Sequence, residues 1–267
     1  MIKNFINDLI SRFKLKASEN LLIENVISLS KTIILIPLTI LARSDIRKKI
    51  AKKKTMENYI NLSISYNYTP IKGLRFKIIT RASQFKNEIQ KFIEMVLKYK
   101  PLVVLEIGTA RGGTFFLLTK FSSPKAHLIS LDLPGGQFGG GYSRWVGYFF
   151  KSFALDTQKI SIIRADSHID STLNKLKKIL KSKLIDLLFI DGDHSYEGVK
   201  KDFEMYSPLV KKGGIIAFHD IVVHPPETNC DVNKFWNEIK HHYKYKEFVE
   251  NWDQKKYGIG IIIKNND

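Results

Sequence analysis

The sequence predicts an α/β fold built on a mostly parallel sheet, and three features carry that expectation. Apolar runs at residues 102–107, 127–131, 160–164, 185–190 and 214–218 are separated by helical stretches, the last two each preceded by a lysine-rich one. This is the pattern of repeated strand-helix units. The first run opens Leu102, Val103, Val104, Leu105 without polar alternation, as expected of a strand covered on both faces. Gly108, Gly112 and Gly113 follow at its carboxyl end, where a glycine-rich turn entering a helix holds a nucleotide-like ligand. With 267 residues, 44% of them hydrophobic, the chain is long enough for one sizeable core and an appendage.

The formal charge is +17, and residues 1–60 carry 12 basic residues against five acidic ones. A solvated lysine-rich surface accounts for such an excess, and no nucleic-acid motif accompanies it, so nucleic acid is not an expected partner. A single cysteine, Cys230, excludes an internal disulfide and a cysteine-rich zinc cluster and agrees with a reducing, cytoplasmic location.

Taken in order, residues 1–15 mix charged and apolar side chains at helical spacing, and no small-residue cleavage site follows, so no cleavable leader is expected. Residues 26–42 are apolar almost all round, but Lys31 and Pro37 interrupt them, and 17 residues reach only the lower limit for a bilayer span. The basic cluster Arg43, Arg47, Lys48, Lys49, Lys52, Lys53, Lys54 comes next. Two readings stand. Either this helix packs on the main domain or on a second copy in a homo-oligomer, or residues 21–54 attach the protein to the inner face of a membrane. Residues 56–77 read as a loop or linker. That divides the chain into a basic, partly apolar helical extension and linker at 1–75 and a main domain at 76–267. Residues 80–100 predict a helix with Phe85, Ile89, Phe92, Ile93, Val96 and Leu97 on one face, stopped by Pro101.

A dinucleotide fingerprint needs glycines at relative positions 0, 2 and 5, and here those positions are Glu106, Gly108 and Arg111. A carboxylate at Glu106 repels a pyrophosphate but attracts a cofactor carrying a sulfonium and an ammonium, as S-adenosylmethionine does. Asp132 ends the second strand 20 residues past Gly112, where an acidic side chain accepts both hydroxyls of a ribose. The alternative for Asp132 is a turn residue before Pro134 and Gly135.

The segments EIGTARGGT, LDLPGG, LFIDGDHSYEGVKKDFEMY and KKGGIIAFHDI together resemble class I S-adenosylmethionine-dependent methyltransferases over about residues 80–265. The branch they resemble includes cephalosporin hydroxylase-like and macrolide-sugar O-methyltransferase proteins. The resemblance implies a Rossmann-like seven-stranded sheet, mostly parallel, with helices on both faces and a final antiparallel hairpin to which residues 257–264 contribute. It leaves the N-terminal helical extension outside. It also implies cofactor contacts from Glu106, Gly108, Thr109, Gly112, Asp132 and Asp166, the last near the adenine amino group. A helix cap or turn is the other reading of Asp166.

After the fourth strand come Asp191, Asp193 and His194, and after the fifth come His219 and Asp220. Asp191, His219 and Asp220 are candidate ligands for a divalent cation, magnesium or manganese, that would hold an acceptor hydroxyl. Alternatively the aspartates cap turns while His194 or His219 acts as a general base. The candidate catalytic residues are therefore His194, Asp191 and His219. The glycine-rich segment 134–148, with Phe138, Tyr142, Trp145 and Tyr148, reads as a lid. The expected activity, implied by the branch, is O-methylation of a saccharide or sugar-bearing small molecule. A hydroxylase-like or N-methylating relative, and a membrane-associated cofactor-binding protein without transferase activity, are the alternatives.

Overall fold

The computed structural model describes residues 20–69, 77–135 and 141–265, with side chains described from residue 35 onward. The expectations for residues 1–15 and for Phe138 lie outside the described residues.

A short ladder of β1 (Asn67–Tyr68) and β2 (Ile78–Ile79) precedes the main sheet, which holds β3 (Val103–Ile107), β4 (His127–Asp132), β5 (Lys159–Arg164), β6 (Ile185–Ile190), β7 (Val210–His219), β8 (Lys244–Phe248) and β9 (Ile259–Ile263). Across the sheet the order is β5, β4, β3, β6, β7, β9, β8. Strands β3 to β7 are parallel, and β9 runs antiparallel between β7 and β8. The chain begins at β3, steps outward to β5, and returns to β6 on the other side of β3. The order thus reverses between β3 and β6, which opens a crevice at their carboxyl ends. Every residue of β3 and β6 is buried, which explains why these runs lack polar alternation.

The helices are α1 (Asn20–Ala51), α2 (Met56–Ser65), α3 (Lys86–Tyr99), α4 (Gly113–Phe121), α5 (Arg144–Phe150), α6 (Asp170–Leu180), α7 (Tyr196–Tyr206) and α8 (Val232–Ile239). They cover both faces. One apolar cluster gathers Phe92, Phe116, Phe149 and Phe153. The other gathers Leu176, Tyr206, Phe235 and Trp236.

The loop reading of residues 56–77 is corrected by α2. Thr55 caps it by accepting a hydrogen bond from the Asn58 amide, and Ile60 and Leu62 are buried. Only a narrow face of this helix is apolar, which is why its periodicity is faint. Ala42, Ile46, Ile60 and Tyr66 belong to the same cluster as Phe92 and Phe116. Tyr66 stacks on Phe149 with centroids 5.7 Å apart and donates a hydrogen bond to the Ala42 carbonyl at 3.2 Å. From residue 35 onward the extension therefore packs on the main domain. Helix α1 runs on through Pro37, and no described helix is long and apolar enough to cross a membrane.

Candidate active site

The site starts from a glycine. Gly108 sits just past β3 with φ +86°, and a Cβ there would stand 1.8 Å from the Asp191 carbonyl oxygen. Its amide donates to the Leu131 carbonyl at 2.9 Å, and the Asp191 amide donates to the Ile107 carbonyl at 2.9 Å. The ends of β3, β4 and β6 are thereby tied together. Gly112 caps α4 with φ +71°, and a Cβ there would meet the Phe150 ring at 2.5 Å. Its missing side chain serves packing under the turn.

A cavity of about 540 Å³ opens at these strand ends. Gly108, Asp132, Asp166, Asp191 and Asp220 lie on its wall, one from the end of each parallel strand. Glu106, Thr109 and Gly112 do not line it. Glu106 is 1% exposed, and its Oε2 has no hydrogen-bond partner among the described residues. Burial pushes this carboxyl well above its usual range, with Asp191 and Asp132 adding to the shift and a hydrogen bond with Thr109 opposing it. A cation arriving nearby would favour the charged form. Thr109 accepts a hydrogen bond from the Ser130 hydroxyl at 2.8 Å, and that hydroxyl also meets the Tyr142 hydroxyl at 2.6 Å. Tyr142 is buried against Phe150, so it belongs to the core and not to a lid; Tyr148 is exposed beneath the Arg43 guanidinium.

Asp132 is buried and accepts a hydrogen bond from the Ala110 amide. Burial holds its carboxyl up at about 6, against backbone donors at Ala110 and Gly141. Asp166 accepts a hydrogen bond from the His168 amide at 2.8 Å, a turn role, while it also lines the cavity.

The structure brings the expected reacting groups together. The His219 ring, 3% exposed, places Nδ1 3.0 Å from Asp191 Oδ1 and 3.1 Å from Asp220 Oδ2. Burial opposes its charging, but the two carboxylates outweigh burial and hold the imidazole well above its usual range. His219 thus faces both aspartates through Nδ1 at ion-pair distance, while neither ring nitrogen makes a hydrogen bond among the described residues. His194 places Nε2 3.5 Å from Asp191 Oδ1 and Nδ1 3.4 Å from Asp220 Oδ2. Burial opposes its charging too, but Asp191, Cys230 and Asp220 together hold it up at about 10. The donor atoms of Asp191, His219 and Asp220 lie within 4.8 Å of one another, close enough for one ion. With one imidazole among three donors, this set is poorer in oxygen than magnesium takes.

Sequence reasoning missed two members of this neighbourhood. His224 Nε2 lies 3.1 Å from Asp220 Oδ1, and the Cys230 donor atom lies within 4.8 Å of those of His194 and Asp220. The four-residue spacing of Asp220 and His224 was the one available signal, whereas nothing local ties Cys230 to the site.

Residues 105–221 match the model of Methyltransf_24, a methyltransferase domain, a span that runs from within β3 to just past β7. Uncharacterized protein R132 of Acanthamoeba polyphaga mimivirus is 29% identical over 177 residues, covering 65% of this chain and 76% of that protein. Among solved structures, cofactor-bound Rv0187 from MTB superposes with a TM-score of 0.51 at 13% identity, over 70% of this chain and 84% of that one. An O-methyltransferase from Bacillus cereus in complex with SAH gives 0.48 at 15% identity, over 67% and 82%. The matched methyltransferase domain thus spans the strand ends that wall the cavity, on a seven-stranded sheet of this order.

Proposed function

We propose that the chain moves the methyl group of S-adenosylmethionine to a hydroxyl of a saccharide or sugar-bearing small molecule. One observation carries this reading: a single cavity joins Asp132 to Asp191, His194 and Asp220. The cofactor fits the residues present. Glu106 keeps an unpartnered buried oxygen, Gly108 leaves the turn bare of a side chain, and Asp132 and Asp166 stand on the wall. Thr109 and Gly112 shape the same turn from behind. When bound, the cofactor supplies an electrophilic methyl group on its sulfonium.

The chain itself mainly aligns the reactants. The acceptor's hydroxyl proton passes to the Asp191 carboxylate and is relayed by the charged His194 ring, which releases a proton to solvent, while His219 keeps the Asp191 carboxylate in place. A wall of carboxylates and imidazoles suits an acceptor rich in hydroxyls. The test adds S-adenosylmethionine to the full-length chain and follows melting, then labelled methyl transfer to saccharides. Absence of a thermal shift rejects the cofactor, and transfer to amines alone rejects O-methylation.

Hydrogen bonds to a charged group contribute roughly 1.5 to 3 kcal/mol. Asp132→Ala is therefore expected to weaken cofactor binding by about ten-fold or more in calorimetry. The Asp132 carboxyl titrates at about 6, so wild-type affinity falls as pH drops through that value and the protonated group stops accepting both hydroxyls. Equal affinity in variant and wild type removes Asp132 from the cofactor site.

The exposed side chains Ile36, Ile40 and Leu41 on α1, beside Arg43, Arg47 and Lys48, support attachment to an anionic membrane face. Co-sedimentation with phosphatidylserine vesicles, lost in high salt, is the expected result. Equal sedimentation without vesicles rejects it.

A further inference from the structure

Beside the wall described above lies a second set of donors, centred on Asp220. This residue is buried, and its backbone takes φ +62°, a left-handed conformation that a non-glycine residue holds only where its surroundings impose it. From that position its carboxylate reaches two ways. Oδ2 lies 3.4 Å from His194 Nδ1, and Oδ1 lies 3.1 Å from His224 Nε2 and accepts a hydrogen bond from the Tyr257 amide at 3.2 Å. The segment that carries Cys230 folds back onto the same place, because the Asp231 amide donates to the His194 carbonyl at 2.8 Å. The buried Cys230 thiol thereby meets the His194 ring. The donor atoms of His194, Asp220 and Cys230 all lie within 4.8 Å of one another.

We propose that His194, Asp220 and Cys230 form a three-ligand site for a borderline-soft divalent cation of the zinc type, with its open coordination position turned to the cavity. A thiolate, an imidazole and a carboxylate are the donor types zinc uses, at about 2.0 to 2.3 Å, so donors around one ion stand roughly 3 to 4 Å apart. The His194 to Asp220 separation already falls in that range, and closing on Cys230 requires only a small contraction. Three protein ligands with one open position is the arrangement of catalytic zinc. His194 and Asp220 line the cavity, and Cys230 stands behind them. The open position therefore faces the space assigned to the acceptor, a placement that rests on the methyl-transfer reading. A hydroxyl bound there would be acidified.

The set Asp191, His219, Asp220 differs in kind, since the His219 ring already bridges both carboxylates. In the proposed arrangement Asp191 and His219 remain an ion pair. His224 holds the second Asp220 oxygen, and its own Nδ1 lies 2.8 Å from the Val222 carbonyl oxygen, an outer-shell contact of the kind that orients metal-site side chains. On binding, the Cys230 thiol and the charged His194 ring each release a proton to solvent, and nothing is oxidised.

The test uses the full-length chain, stripped with a chelator and titrated with cobalt(II). One equivalent is expected to produce a near-ultraviolet thiolate-to-cobalt absorption that zinc(II) displaces and magnesium does not. Cys230→Ser abolishes the band and weakens zinc binding by more than the roughly 10- to 100-fold that loss of an outer-shell partner costs, while Asp191→Asn keeps the band. The reverse outcome, with the band kept in Cys230→Ser and lost in Asp191→Asn, overturns the proposal, as does the absence of any cobalt band. Cys230 is the sole cysteine, so its alkylation by iodoacetamide, read by mass spectrometry, gives a readout in the unsubstituted chain. Zinc(II) slows that alkylation and magnesium does not; equal rates also overturn the proposal. Melting with S-adenosylhomocysteine on the same samples reports the cofactor pocket separately, so failure of the cation site and failure of the methyltransferase reading give different results.

Discussion

Replacing His194 with alanine lowers the methyl-transfer rate by roughly 100- to 10,000-fold, the range found when a positioned proton-transfer group is removed. The ring owes its place to two constraints. Ser195 caps α7 by accepting a hydrogen bond from the Gly198 amide, which fixes the turn after β6, and Asp191 and Asp220 approach the ring from two sides at 3.5 and 3.4 Å. Whether the ring exchanges the hydroxyl proton or holds the inferred cation, its loss falls on kcat. Cofactor affinity stays near wild type, because the groups assigned to the cofactor lie on other strands. His194→Gln retains hydrogen bonding without titrating, so it is expected to lose as much rate as the alanine variant. Undiminished turnover in His194→Ala discards the assignment, and full rescue by glutamine reduces the ring to a hydrogen-bonding part.

Gly108→Ala is expected to destabilise the chain and abolish cofactor binding together. The new Cβ would stand 1.8 Å from the Asp191 carbonyl oxygen and 2.7 Å from Gly192 Cα, both backbone atoms that no rotamer change can move aside. A left-handed alanine costs about 1 to 2 kcal/mol, and an overpacked methyl about 1 to 3 kcal/mol more. For a chain of this size that corresponds to a fall in Tm of roughly 5 to 15 °C. The only relief is to part the turns after β3 and β6, which moves Asp191 relative to Asp132. Gly112→Ala is the informative comparison, since its Cβ would meet the Phe150 ring, a side chain with some freedom to shift. A Gly108→Ala variant with wild-type melting and an intact thermal response to S-adenosylmethionine contradicts the account of this turn.

Much of the fold was legible because buried parallel strands need apolar residues on both faces. The run 185–190 was read with the bounds that β6 has, and β3, β4 and β5 differ from the expected ranges by a single residue at one end. The legible part stopped where burial is one-sided or slight. Strand β8, written KYKEF, buries only Phe248 and gives no apolar pattern, and α2 hides its apolar face within a polar sequence. At the site, Asp132, Asp191, His194, His219 and Asp220 were identifiable because each lies within four residues of the end of an apolar run, at the edge where parallel strands release their ends.

By itself the sequence determined the strand succession, the glycine turn after β3 and the acidic and imidazole residues at the strand ends, since these are local consequences of residue type and spacing. Only the tertiary structure decided which of those groups touch. It set the His219 ring between two carboxylates, withdrew Glu106 from the cavity wall, folded Tyr142 into the core and carried Cys230 across to His194. The physical reason is that contacts between strand ends depend on register and loop path, which close distances between residues far apart in sequence and leave no trace in the spacing of either partner.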